Sequence, residues 1–170
     1  MGNLLTALSP VEAAQIIPGE MVSFDLFIEG RRRSFLFYRP TSCPTAQSRP
    51  LMLALHPFLY PNRKFEKYAN LRQMAESGQF LLAMPQGFGF GTYKSFNAGL
   101  RDDAKDPDDI LYISAVIDQI KSSNKIDESR IYALGMSNGA MMIYLMTQRL
   151  PGLLAGIVCV SGTQIGRAHV

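Results

Sequence analysis

Four short apolar runs separated by stretches of helical period dominate the chain. Residues 51–55 (Leu-Met-Leu-Ala-Leu), 80–84 (Phe-Leu-Leu-Ala-Met), 131–134 (Ile-Tyr-Ala-Leu) and 156–160 (Gly-Ile-Val-Cys-Val) carry no charge, as strands buried on both faces of a parallel sheet require. Between them, Phe65, Tyr68, Leu71, Met74 and Ala75 predict one helix over 64–77 with Gly78 as its stop. Ile110, Ile113, Val116, Ile117 and Ile120 predict a second helix, and Met141, Met142, Leu145 and Met146 a third over 138–150. Upstream, residues 22–28 partly alternate, Glu29-Gly30-Arg31 reads as a turn and 34–38 as the return strand of a β-hairpin. Pro40, Pro44 and Pro50 punctuate the loop that follows, and residues 1–20 read as a lead-in segment or a short helix around 10–16. This alternation predicts an α/β fold: a mostly parallel sheet with helices on both faces and an N-terminal antiparallel hairpin, in one domain over 21–164.

The second helix announces its start with Asp106 as N-cap, Pro107 at the first helical position, and Asp108 and Asp109 in the first turn. Capping and dipole effects of about 1 kcal/mol each account for these aspartates without a catalytic role.

The third apolar run breaks into Gly135-Met136-Ser137-Asn138-Gly139 and continues as the third helix. Strand, Gly-x-Ser-x-Gly, helix is the pattern of a nucleophile elbow: a sharp turn presents the serine, and glycines two residues on either side remove the Cβ atoms that would clash as strand and helix close together. Ser137 is accordingly the expected nucleophile. A second glycine-rich stretch, Gly87-Phe88-Gly89-Phe90-Gly91, does not fit dinucleotide binding, because the third glycine of Gly-x-Gly-x-x-Gly falls on Thr92 or Lys94 in the two registers. It reads as a flexible loop at the mouth of the site.

Composition adds little and excludes much. With 170 residues, 47% hydrophobic and 18% charged, the chain is an ordinary globular domain rather than a disordered or fibrous one. A net charge of +3 owes much to Arg31-Arg32-Arg33, which reads as a solvated hairpin turn and not as a nucleic-acid patch, since no further basic cluster accompanies it. No apolar run approaches the length of a membrane span, and no Lys or Arg precedes Arg31 to open a secretory signal. Met1-Gly2 with Thr6 fits the loose spacing for N-myristoylation. Cys43 and Cys159 lie in unrelated contexts, so no disulfide is expected. Nothing suggests a metal or a cofactor.

Read together, Leu55-His56-Pro57-Phe58, Met84-Pro85-Gln86-Gly87, Phe96-Asn97-Ala98-Gly99, Pro107-Asp108-Asp109-Ile110 and Gly135-Met136-Ser137-Asn138-Gly139 occur in the order found in the polyhydroxybutyrate depolymerase and feruloyl esterase family. The chain resembles this family of α/β-hydrolases from about Leu51 to Thr163. The resemblance implies serine esterase chemistry on a polyester or plant-polysaccharide ester, through an acyl-enzyme on Ser137. One oxyanion donor is then the backbone N–H of Asn138. The other comes from the loop that begins at His56, where relatives usually carry His-Gly; Pro57 has no N–H, so Phe58 is the expected donor and His56 orders the loop. Many relatives have a tryptophan first and cysteines after the glycine in the segment that is Phe96-Asn97-Ala98-Gly99-Leu100-Arg101 here, so substrate preference does not transfer through it. The family leans extracellular.

The triad order in this fold is serine, acid, histidine. No Asp or Glu follows Ser137, and the only later histidine is His169. Residues 165–170, Ile-Gly-Arg-Ala-His-Val, resemble a translated sequencing adapter, so the expectation is a C-terminally truncated domain, poorly folded and inactive by itself. The alternatives are a non-catalytic α/β-hydrolase-like binding protein and a peptidase-like serine hydrolase.

Overall fold

The computed structural model describes residues 16–44, 46–99 and 106–163. Expectations for the helix around 10–16, the myristoylation pattern and the 165–170 tail fall wholly or mostly outside the described residues. The first regular structure is a hairpin, β1 (Met21–Ile28) and β2 (Arg31–Tyr38), in a register that pairs Ile28 with Arg31. Only Glu29 (φ 51°) and Gly30 (φ 71°) lie between them. Both are left-handed, as a two-residue hairpin turn with native strand twist demands. Arg31 therefore opens a strand and is not a turn residue. The expectation of a solvated Arg31-Arg32-Arg33 turn fails most clearly at Arg33, which is 3% exposed and faces the core.

The main sheet adds β3 (Arg49–Leu55), β4 (Leu81–Pro85), β7 (Ile126–Met136) and β8 (Gly156–Val160) in the order β1-β2-β4-β3-β7-β8. β2 joins β4 antiparallel, while β4, β3, β7 and β8 run parallel. Three of the four apolar runs are thus central strands, whereas the fourth, β8, lies at the edge of the sheet and is not buried on both faces as its pattern predicts. Pro50 belongs to β3 and not to the preceding loop, and β7 is longer than its apolar run, its pairing to β3 skipping between Arg49 and Leu51.

The single helix expected over 64–77 is two, α1 (Asn62–Tyr68) and α2 (Leu71–Gly78), broken where Asn70 turns left-handed at φ 52°. Asparagine tolerates that conformation better than most residues; of the five apolar positions that give the period, Phe65, Leu71 and Ala75 are buried while Tyr68 and Met74 are exposed. Gly78 is the last helical residue, and Gln79 takes the left-handed capping position; a Cβ on Gly78 would lie 2.7 Å from the Phe80 ring. α3 (Asp109–Ser123) is capped by Asp108, whose carboxylate accepts from Leu111 N–H at 3.0 Å, rather than by Asp106. α4 (Asn138–Arg149) follows β7 directly.

α1 and α2 cover one face of the sheet over Leu36, Ala54, Leu82 and Met84. α3 and α4 cover the other, where Tyr112, Val116, Met142 and Met146 meet Leu51 and Leu53. This is the α/β architecture the pattern predicts. The flexible loop expected at 87–91 is instead half of a two-stranded ribbon, β5 (Phe88–Phe90) with β6 (Tyr93–Ser95). Among the described residues no helix is long and apolar enough to cross a membrane.

Candidate active site

Ser137 sits between β7 and α4 with φ 51° and ψ −115°. A serine held there costs on the order of 1–3 kcal/mol, which the surrounding packing must offset. Its backbone N–H donates to Val160 O at 2.8 Å, fastening the turn to β8. The flanking glycines are required by backbone approach: a Cβ on Gly139 would stand 2.1 Å from Leu55 O, and one on Gly135 2.6 Å from the Gly139 carbonyl carbon. The serine is thereby presented at the N-terminus of α4, where the unpaired N–H groups and the helix dipole favour negative charge.

His56, at the end of β3, is fully buried. Its Nε2 accepts from Gly87 N–H at 2.9 Å and from Gln86 Nε2 at 2.8 Å, so Nδ1 carries the proton and donates to Pro57 O at 2.8 Å. Burial, opposed by the Pro57 carbonyl, pushes the imidazole down to about 4. The ring is neutral with both nitrogens engaged, which suits a residue that ties the loop after β3 to the loop after β4. Within that loop Leu59 N–H donates to Lys94 O and Tyr60 N–H to Pro57 O, each at 3.3 Å. Pro57 has no N–H, and the Phe58 N–H has no hydrogen-bond partner among the described residues.

A cavity of about 310 Å³ opens over these groups, lined by Ser137 and Asn138 and by the apolar side chains of Phe58, Phe88, Phe96 and Met141. The structure therefore brings Ser137, Asn138 and Phe58 to one cavity, with Gly135 and Gly139 beneath it and His56 buried behind it. Asn138 does more than its position after the serine suggests. Its side chain accepts from Phe96 N–H at 2.7 Å and donates to Phe96 O at 3.0 Å, clamping the far wall to the elbow.

A second buried cluster was not anticipated from the sequence. Arg33 of β2 pairs with Asp109 of α3, donates to Gln86 O at 3.3 Å and lies 3.9 Å over the Tyr112 ring. Its Nη1 has no hydrogen-bond partner among the described residues, and the Tyr112 π face offers partial compensation. Asp109 also accepts from Asn97 N–H at 2.6 Å, so the pair fixes the wall segment that contains Phe96. Burial pushes the Asp109 carboxyl up from its ordinary range, against the Arg33 charge and the Asn97 N–H. Asp109 is thus a wall anchor, not simply a first-turn charge. The only signal for it in sequence was an arginine three places from a turn, which by itself points to solvent.

Downstream of Ser137 the sequence has no Asp or Glu, and His169 lies outside the described residues. Among the described residues no cluster of His, Cys, Asp and Glu is placed to hold a metal ion.

Strand order, elbow and helix placement define the class: the chain has the α/β-hydrolase fold. A ferulic acid esterase structure superposes with a TM-score of 0.72 at 14% identity, covering 86% of this chain and 60% of that one. The poly(3-hydroxybutyrate) depolymerase LpqC from Bordetella parapertussis gives 0.62 at 17% identity, covering 82% and 51%. In sequence, NocK of Nocardia uniformis subsp. tsuyamanensis, named as an esterase, is 27% identical over 156 residues, 91% of this chain and 45% of its own length. Poly(3-hydroxyalkanoate) depolymerase C of Paucimonas lemoignei is 29% identical over 115 residues, 66% of this chain and 28% of its own. The bifunctional acetylxylan esterase/xylanase XynS20E of Neocallimastix patriciarum is 26% identical over 138 residues, 81% and 19%. No protein-family model matches. The chain is thus similar in sequence to proteins named as esterases and as a poly(3-hydroxyalkanoate) depolymerase, and spans less than half the length of these three sequence relatives.

Proposed function

We propose that this chain carries the nucleophile half of a serine carboxylic-ester hydrolase. The observation that carries the reading is Ser137 at a positive-φ elbow between Gly135 and Gly139, opening onto a cavity lined by Phe58 and by the N-terminus of α4. Ser137 Oγ attacks the ester carbonyl, the Asn138 and Phe58 N–H groups receive the developing oxyanion, and the alcohol leaves as an acyl-serine forms. Water then releases the acid. The cavity wall mixes Phe58, Phe88, Phe96 and Met141 with Ser95, Asn97 and Asp106, and two of the sequence relatives are named for polymeric esters, which supports such a substrate.

Among the described residues no base or orienting acid for Ser137 is identified. His56 is engaged at both nitrogens, and no acid follows Ser137. Hydrolysis of p-nitrophenyl butyrate by the 170-residue chain is therefore expected to run at least about 10⁴-fold below that of a longer polypeptide that adds an acid and a histidine to this elbow. Within that longer polypeptide Ser137→Ala removes a similar factor. Unchanged hydrolysis in the alanine variant would sink the assignment.

A further inference from the structure

The two N–H groups proposed to receive the oxyanion come from different elements, Asn138 from the start of α4 and Phe58 from the loop after β3. Each must be held to within about 0.5 Å for the pair to serve one oxygen. One link between them is backbone: a Cβ on Gly139 would lie 2.1 Å from Leu55 O and 2.9 Å from His56 O, so α4 starts in direct contact with the end of β3. A second link runs through side chains.

His56 Nδ1–H donates to Pro57 O at 2.8 Å. The Pro57–Phe58 peptide unit is trans, and in a planar trans unit the N–H points opposite to the C=O. Fixing the Pro57 carbonyl therefore fixes the direction of the Phe58 N–H. The imidazole is itself held at Nε2 by Gly87 N–H and by Gln86 Nε2, and the Phe96 ring packs against it with centroids 4.8 Å apart and planes tilted by 40°. Phe96 is 3% exposed. Its backbone N–H and C=O are both bonded to the Asn138 side-chain amide, at 2.7 and 3.0 Å. The contacts close a circuit: Asn138 offers one donor from its backbone, and its side chain reaches the other through Phe96 and His56.

We infer that Phe96 is a positioning residue for ester hydrolysis, anchored by the Asn138 side chain and acting through His56 on the Phe58 N–H. The inference rests on the esterase reading, to which the oxyanion site belongs. Lining a cavity requires only an apolar surface; it requires neither the paired backbone bonds at Phe96 nor its ring against a buried histidine.

The test compares two ligands of the purified 170-residue chain by NMR titration. 2-Phenylethylboronic acid adds to a serine hydroxyl: Oγ forms a B–O bond, its proton passes to solvent, and boron becomes a tetrahedral anion that presents an oxygen to both donors. 3-Phenylpropionamide carries the same group on a planar, uncharged carbonyl. Asn138→Ala, which keeps the backbone N–H, and Phe96→Leu, which keeps the backbone clamp, are each expected to lower the ratio of boronate to amide affinity by about tenfold. Because both act along one path, the double variant loses no more than about the same tenfold. Phe96→Met, closer in volume, replaces Phe96→Leu if the latter does not give the parent's far-UV circular dichroism spectrum. An unchanged ratio in either single variant, or losses that multiply in the double variant, would overturn the inference and leave the esterase reading intact. A parent chain that forms no tetrahedral boronate on Ser137 would overturn that reading and the inference with it.

Discussion

His56 shows how a single buried side chain couples the candidate site to stability. Folding holds its imidazole at about 4, below the ordinary value of 6.5, chiefly because burial penalises the charged form. Between those values the unfolded chain binds a proton that the folded chain does not. Stability attributable to His56 is therefore fully present above about pH 6.5 and is lost as pH falls toward 4, by on the order of 3 kcal/mol over the whole window. Urea titrations at pH 7 and pH 4 are expected to show this loss, and His56→Gln to reduce its size. A variant with the same pH dependence as the parent would contradict the assignment. Ser137 and its glycines were legible in sequence because Gly-x-Ser-x-Gly encodes a backbone shape. The side-chain partners of His56 were not, since Gln86 and Gly87 lie thirty residues away and meet it only when β3 and β4 align.

Between elements, the Arg33–Asp109 pair joins β2 to α3 and through Asn97 steadies the cavity wall. Breaking one side leaves a buried charge without compensation, a cost of about 3–5 kcal/mol. Arg33→Met should lower unfolding free energy by about that amount in urea titrations, and adding Asp109→Leu should recover most of it. No recovery in the double variant would mean that the loss came from packing around Tyr112 and not from the orphaned carboxylate. Elements with strong patterning, β3, β4, β8 and α4, were readable within a residue or two. The errors fell where tertiary geometry overrode the pattern: Asn70 splits a continuous helical period, and the glycines at 87–91, which suggest looseness, instead let a tight ribbon form, since a Cβ on Gly89 would meet Tyr93 O at 1.8 Å.

At the scale of the molecule, the sheet ends at β8, whose outer edge is unpaired among the described residues. Ile157 is 40% exposed, Val158 51% and Val160 46%, so apolar side chains stand open on both faces of an edge strand. Such an edge is a template for pairing with another chain. The 170-residue chain is expected to self-associate as its concentration rises, and Val158→Thr/Val160→Lys to suppress light scattering while leaving the far-UV circular dichroism spectrum unchanged. Scattering that persists in this variant would shift the cause elsewhere.

The amino-acid order by itself determined the strand-helix alternation and the elbow on which Ser137 stands, because apolar periodicity and glycine spacing are local and act through backbone sterics. Only the tertiary structure decided that Arg33 is buried against Asp109, that Asn138 clamps Phe96, and that Phe88 lines the cavity. Those outcomes depend on which residues far apart in sequence share one desolvated space, where a charge or a carbonyl is stable only with a partner that no local pattern can name.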